Sequence, residues 1–163
     1  MNKCRCLLVL LLLFESALHA QVNFTNSDLP IVVINTNSQN IPDTSRIIAD
    51  FGIRYNGPGI RNYMTDPWQY YGKISIESRG STSQQYPKLS YGLETKDALL
   101  NKLDTSLLGM PEENDWILYG AYPDKTLMRN EITYDIFRRM GHYDVRYRYC
   151  ELVINNHTWV FTP

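Results

Sequence analysis

The stretch Arg79-Gly-Ser-Thr-Ser-Gln-Gln-Tyr-Pro-Lys88-Leu-Ser-Tyr-Gly-Leu-Glu94 holds the chain's most suggestive chemistry. A glycine and three hydroxyls sit in a connection between two strand-like runs, with a cation before it and another after it. Backbone N–H groups and hydroxyls in such a loop can donate to phosphate oxygens, while Arg79 and Lys88 neutralise their charge. The same composition also suits a plain solvated turn, because Ser, Thr and Gly are ordinary turn residues. It is not a Walker A loop, nor a glycine-rich nucleotide loop of the usual kind.

Next in interest is Asp124-Lys-Thr-Leu-Met-Arg129-Asn130, which opens a helical pattern. Asp124 suits an N-cap. Arg129 and Asn130 would occupy the first turns, reaching toward a sheet or facing solvent. Glu112, Glu113 and Asp115 form an acidic turn with no histidine nearby. His142 and His157 lack metal-ligand spacing, and no nucleophile elbow or paired-cysteine zinc pattern occurs.

The elements around these residues read mostly as short strands. Residues 29–36 are β-branched and bounded by Asn and Ser, with Pro30 confined to a first or edge position. Residues 46–55 alternate weakly, and 73–78 alternate cleanly with Ile74 and Ile76 inward. Residues 90–94 put Tyr91 and Leu93 on one face, and 116–119 make another short strand. Residues 56–71 form a loop long enough to have its own packing or function. Met128, Ile132, Ile136 and Met140 recur every four residues, which predicts a helix over 126–140 with this stripe packed inward and Gly141 ending it. Residues 146–154 predict a last strand with Cys150, Leu152 and Ile154 on one side. The expected fold class is α+β, a mainly antiparallel sheet with one long helix.

Residues 1–20 have the layout of a secretory signal peptide: Lys3 and Arg5, an apolar run from Leu7 to Phe14, then Ala17 and Ala20. Residues 21–28 follow as a flexible lead-in. The expected localisation is therefore secreted, with no membrane role after cleavage. With 16 basic and 17 acidic residues and no basic run, the charge balance gives no footprint for a nucleic-acid partner. Cys4 and Cys6 leave with the signal peptide, so Cys150 has no disulfide partner in the mature chain and reads as a buried, inert thiol. Asn23-Phe-Thr25 and Asn156-His-Thr158 match the glycosylation sequon.

Four segments, GKISIESRGSTSQQYPKLSYGLET, SLLGMPEENDWILY, DKTLMRN and CELVINN, occur in the order and spacing of the CotH (spore-coat protein H) kinase family, which the chain resembles over residues 28–157. The resemblance implies the N-terminal part of an atypical protein-kinase-like fold over 29–157. It implies ATP and Mg or another divalent metal as cofactors, and serines of secreted or coat proteins as the phosphate acceptors. Carried over by motif, Arg79, Ser81, Ser83 and Lys88 fall on the phosphate-side loop and strand, and Arg129 and Asn130 in the signature helix. Lys88 is the expected phosphate-binding cation. Ser78 stands where relatives are apolar, and Leu89 where they often carry a second lysine.

In relatives the CELVLNG strand continues into Tyr-x-Gly-Val-Tyr, with the metal-binding and catalytic acids further on. Here Thr158-Trp-Val-Phe-Thr-Pro163 follows instead. Encoded as ACA TGG GTG TTT ACN and preceded by one T, it reads TAC ATG GGT GTT TAC, or Tyr-Met-Gly-Val-Tyr. The expectation is a frameshifted tail over 158–163, catalytic residues beyond Pro163, and an inactive fragment of a secreted kinase. The alternative is a secreted β-rich adhesion or carbohydrate-binding module without catalysis, to which Trp68, Tyr70, Tyr71 and Trp116 would contribute.

Overall fold

A computed structural model describes residues 24–155 and the backbone of 157–159. The expected signal peptide (1–20) and the last residues of the expected tail (160–163) lie outside the described residues. Nine strands follow in order: β1 (Asn26–Ser27), β2 (Ile31–Asn35), β3 (Ile47–Arg54), β4 (Asn62–Tyr63), β5 (Tyr70–Arg79), β6 (Ser90–Lys96), β7 (Asp115–Leu118), β8 (Glu151–Ile154) and β9 (His157–Trp159). Seven form one sheet in the order β7-β6-β5-β3-β2-β8-β9, and β1 pairs with β4 in a small second sheet. Every pairing is antiparallel except β2 with β8, where Ile31 lies opposite Glu151.

The α+β expectation is overturned. Among the described residues the protein is mostly β, with one α-helix, α1, of 11 residues (Arg129–Arg139), so it is not an α+β half of a kinase-like fold. The helix starts later than its periodicity predicts because the chain first makes a turn. Leu127 has φ +55°, and Met128 has φ −124° and ψ −5°. The expected strand over 146–150 is also absent, and only 151–154 pair.

The core lies on one face of the large sheet. Period-two alternation turns Val32 and Ile34 of β2, Ala49, Phe51 and Ile53 of β3, and Ile74 and Ile76 of β5 to that face. Leu93, Leu152 and Ile154 complete it. Burying each such side chain contributes about 1.5–3 kcal/mol, so this layer dominates the stability. The other face carries charge. Glu94 is buried there, accepting from Arg46 at 2.8 Å and Lys96 at 2.6 Å, with Lys102 at 3.4 Å. The Lys96 hydrogen bond, reinforced by Lys102, holds the Glu94 carboxyl below its usual range.

Asn155 fastens the end of β8 to the end of β2. Its Oδ1 accepts from Thr36 N at 2.8 Å, its Nδ2 donates to Thr36 Oγ1 at 2.8 Å, and its backbone N donates to Ile34 O at 3.0 Å. Its φ of +50° is a conformation asparagine tolerates better than most residues. Closing the parallel β2–β8 pair in this way fixes where residues 142–150 must run, across one end of the core face.

The amphipathic reading of α1 is inverted. Met128, Ile132, Ile136 and Met140 are 50–66% exposed, whereas Asn130, Glu131, Tyr134 and Arg138 are half-buried. The helix turns its polar stripe inward because that stripe has partners there: a cavity wall and a buried aspartate.

Candidate functional site

A cavity of about 480 Å³ opens between the core face of the sheet and three irregular segments. Val32, Phe51, Ile53, Leu93 and Leu152 form an apolar floor. Arg79, Lys88, Arg146 and Arg148 stand on its walls, against one lining carboxylate, Glu131. Tyr134, Tyr147 and Tyr149 add aromatic surface, the first two rings 6.5 Å apart and the last two 6.0 Å apart edge to face. An apolar floor under a cationic rim, at a volume within the usual range for small-ligand sites, suits a ligand with a flat organic part and an anionic end.

The loop between β5 and β6 places two of these cations. Gly80 has φ +113°, and a Cβ on it would lie 1.9 Å from Ser83 Oγ, so only glycine fits there without rearrangement. A 3₁₀ turn over Thr82–Gln85 follows, tied back by Gln84 Nε2 donating to Gly80 O at 2.7 Å. Tyr86 stacks on Tyr122 with centroids 5.4 Å apart, and the buried Gly120 N donates to Ser90 Oγ at 3.0 Å. A Cβ on Gly120 would meet Leu89 O at 2.5 Å, so the two connections cross in close backbone contact. Lys88 sits at that crossing.

Burial lowers the Lys88 pKa, opposed by attraction to Glu151 and the Cys150 thiol. Arg79 and Arg148 make no ion pair among the described residues, and Arg148 Nη1 donates to Tyr147 O at 3.2 Å. Their charge is available to the cavity.

The opposite wall is α1 with residues 142–150. Asp124 caps the helix from five residues upstream: Oδ2 accepts from Arg129 N at 3.0 Å, and Oδ1 from Thr126 N at 3.0 Å and Thr126 Oγ1 at 2.7 Å. The Thr126 hydroxyl first, then the Arg129 amide, hold its carboxyl below the usual range. Arg138 clamps the buried Asp144, with Nε at 3.0–3.1 Å from both oxygens and Nη2 at 2.7 Å from Oδ2. This bidentate geometry depresses the Asp144 pKa. Tyr149 Oη donates to Leu127 O at 2.9 Å, joining the far end of the same segment to the helix start. Cys150, half-buried in the wall, has its thiol pKa pushed up to about 12 by burial.

Of the six residues singled out in the sequence, the structure brings Arg79, Ser83, Lys88 and Asn130 to this one cavity. Ser81 and Arg129 are exposed and off the lining. Ser81 O accepts from Gln84 N at 3.2 Å within the loop, and Arg129 Nε lies 3.5 Å from Asp124 Oδ1. Sequence reasoning missed Arg146, Arg148 and the tyrosines among them. The signal was present in the alternation Arg146-Tyr-Arg-Tyr149, which reads as an exposed strand until the chain is seen to cross the cavity mouth. Among the described residues no three His, Cys, Asp or Glu side chains group to hold a metal ion. The donor set therefore does not fit a metal held by this part of the protein alone.

A mostly β domain with a cationic cavity of small-ligand size is the class these features define. Residues 76–160, just over half the chain, match the family described as CotH kinase protein. The chain belongs to the CotH kinase family. Its matched span contains the β5–β6 loop, α1 and β8, which supply the cavity's charged walls and part of its floor. Neither the curated proteins nor the solved structures include a significant match.

Proposed function

We propose that this cavity is the nucleotide site of a CotH-type protein kinase. ATP would lay its base and ribose on the apolar floor and turn its phosphates toward Arg79, Ser83 and Lys88. The observation that carries this reading is the charge of the lining, four cations against Glu131 over an uncharged floor. Family membership supports it independently. Arg146 lies 3.8 Å from Asp144, and Lys88 is attracted to Glu151. Arg79 and Arg148 have no ion pair among the described residues, so a phosphate chain supplies the charge this wall lacks and a neutral ligand does not.

Phosphoryl transfer also needs metal ions held by carboxylates. The described lining offers one carboxylate, so the activity proposed for this cavity itself is nucleotide binding. The full reaction, passing phosphate from ATP to serines of a secreted or coat protein, is proposed for the protein once further acidic residues join the site.

Calorimetric titration with ATP, adenosine and tripolyphosphate tests the reading. Expected is an order ATP > tripolyphosphate > adenosine, with Lys88→Met weakening the first two at least about tenfold and leaving adenosine unchanged, as loss of one phosphate-facing cation should. Equal binding of adenosine and ATP, or no binding of either, would refute the assignment.

A further inference from the structure

The charged face of the sheet, opposite the cavity, carries an exposed pair of aromatic rings. Trp68 lies over β3 at Gly52: a Cβ on that glycine would sit 2.5 and 2.6 Å from the indole carbons Cζ3 and Cε3. Two residues along the same face of the strand, the Arg54 guanidinium carbon is 3.6 Å from the indole centroid. Arg54 Nε is buried with no hydrogen-bond acceptor among the described residues, so the ring face takes the place of one. The strand thus packs against the indole, and Trp68 as a whole remains 39% exposed. Tyr71, opposite Gly52 in the β3–β5 register and 58% exposed, places its ring 5.4 Å away at 38°. Two tilted rings make a shallow cradle with open faces.

The rim of the cradle is polar and fixed. Asp66 Oδ2 accepts from Asn56 Nδ2 at 2.6 Å and from Tyr63 N at 2.7 Å, while Oδ1 accepts from no described residue. On the other side Lys73 Nζ pairs with Asp50 Oδ1 at 2.5 Å. The local charges balance: Arg54 with Asp66, Lys73 with Asp50. A protein partner needs a contiguous interface of about 1,000 Å² or more with an apolar centre, and two rings ringed by ion pairs do not supply it. A ligand with a flat C–H face and hydroxyls around its edge fits both parts.

We propose that Trp68 and Tyr71 form a carbohydrate-binding platform for a neutral, β-1,4-linked pyranose chain. All-equatorial sugars of this kind present axial hydrogens to stack on the aromatic faces, and their hydroxyls reach Asp66 Oδ1 and the Asn56 side chain. Gly52 is the seat that lets the indole lie against the sheet. The platform is independent of the nucleotide cavity, on the other side of the sheet.

The test is titration of the intact chain with cellohexaose and chitohexaose, with a proline-rich peptide as the competing aromatic-cradle ligand. One of the two sugars is expected to bind, with Trp68→Ala and Tyr71→Ala each weakening it at least about tenfold. Gly52→Ala should weaken it similarly by lifting the indole, while tripolyphosphate binding at the cavity stays unchanged in all three. Tyr71→Ala removes an exposed ring and keeps the test decisive if either variant at the Trp68–Gly52 contact fails to fold. Binding of neither sugar at millimolar concentration, binding indifferent to Tyr71, or preference for the peptide would each overturn the proposal.

Discussion

Gly80→Ala is the substitution whose consequence the structure fixes most tightly. The native φ of +113° is one that a side chain strongly disfavours, at a cost of about 1–3 kcal/mol. The added methyl would also stand 1.9 Å from Ser83 Oγ and 3.3 Å from Ser83 Cβ. Rotating the Ser83 hydroxyl away relieves the first contact, and a shift of a few tenths of an ångström relieves the second. Backbone strain is therefore the larger share, and Ser83→Ala in the same chain should return only a minor part of the loss. At about 2–4 °C per kcal/mol, the melting temperature should fall by roughly 2–12 °C. Because the strain sits in the loop that aims Arg79 and Lys88, tripolyphosphate affinity should fall at least about tenfold as the loop relaxes into another conformation. Differential scanning calorimetry and calorimetric titration on Gly80→Ala, Ser83→Ala and the double variant decide it. A Gly80→Ala protein that melts and binds like the parent would show that the loop does not position the cations. Full rescue by Ser83→Ala would show that sterics, and not φ, govern the turn.

Three further outcomes are expected. Asn155→Ala should cost about 2–4 kcal/mol in chemical denaturation, since it strands the buried Thr36 amide and puts alanine at φ +50°; a loss under about 1 kcal/mol would contradict the anchoring role. The Cys150 thiol, raised from 9.0 to about 12, keeps its proton in the folded chain at pH values where the unfolded chain has lost it. Its share of stability is complete below pH 9 and declines from there toward pH 12, by up to about 1.4 kcal/mol per pH unit, and Cys150→Ala should flatten that part of the stability–pH profile. An unchanged alkaline slope would place the thiol in solvent. Asp144→Asn breaks the Arg138 clamp, so amide exchange should accelerate across 142–150 while β2, β3 and β5 keep their protection. Uniform acceleration across the sheet would mean that the segment and the core unfold together.

The strands were legible because each has one face in the core, and a half-buried strand writes its period of two into the sequence. Ile74 and Ile76, Tyr91 and Leu93, and Leu152 and Ile154 all turn inward as their spacing predicts. The helix misled for the reason that made it convincing. An apolar repeat every four residues gives a stripe but not the side from which the stripe is covered, and here a polar stripe has stronger claims on the inward side. Arg138 finds a buried carboxylate six residues away, and Asn130, Glu131 and Tyr134 line the cavity. Those partners lie in a segment without regular structure, which leaves no periodic trace. The fold class was misjudged through the same element: a helix expected to form a layer is 11 residues long and packs no face into the core.

The site was half legible, and the division follows the way the cations are held. Arg79 ends β5 and Lys88 lies in the short loop that follows it, so their proximity is a local property that sequence spacing conveys. Arg146 and Arg148 come from residues whose path is set by three restraints outside any regular element of their own. These are the parallel β2–β8 closure that Asn155 locks, the Arg138–Asp144 pair and the Tyr149–Leu127 hydrogen bond. Removing either of the two side-chain restraints would let the second pair of cations drift from the first without unfolding the sheet. An anionic ligand that bridges the two pairs should therefore tighten residues 142–150 against the β5–β6 loop. The coupling runs both ways, because stabilising the segment must raise affinity by the same free energy that the ligand contributes to the segment.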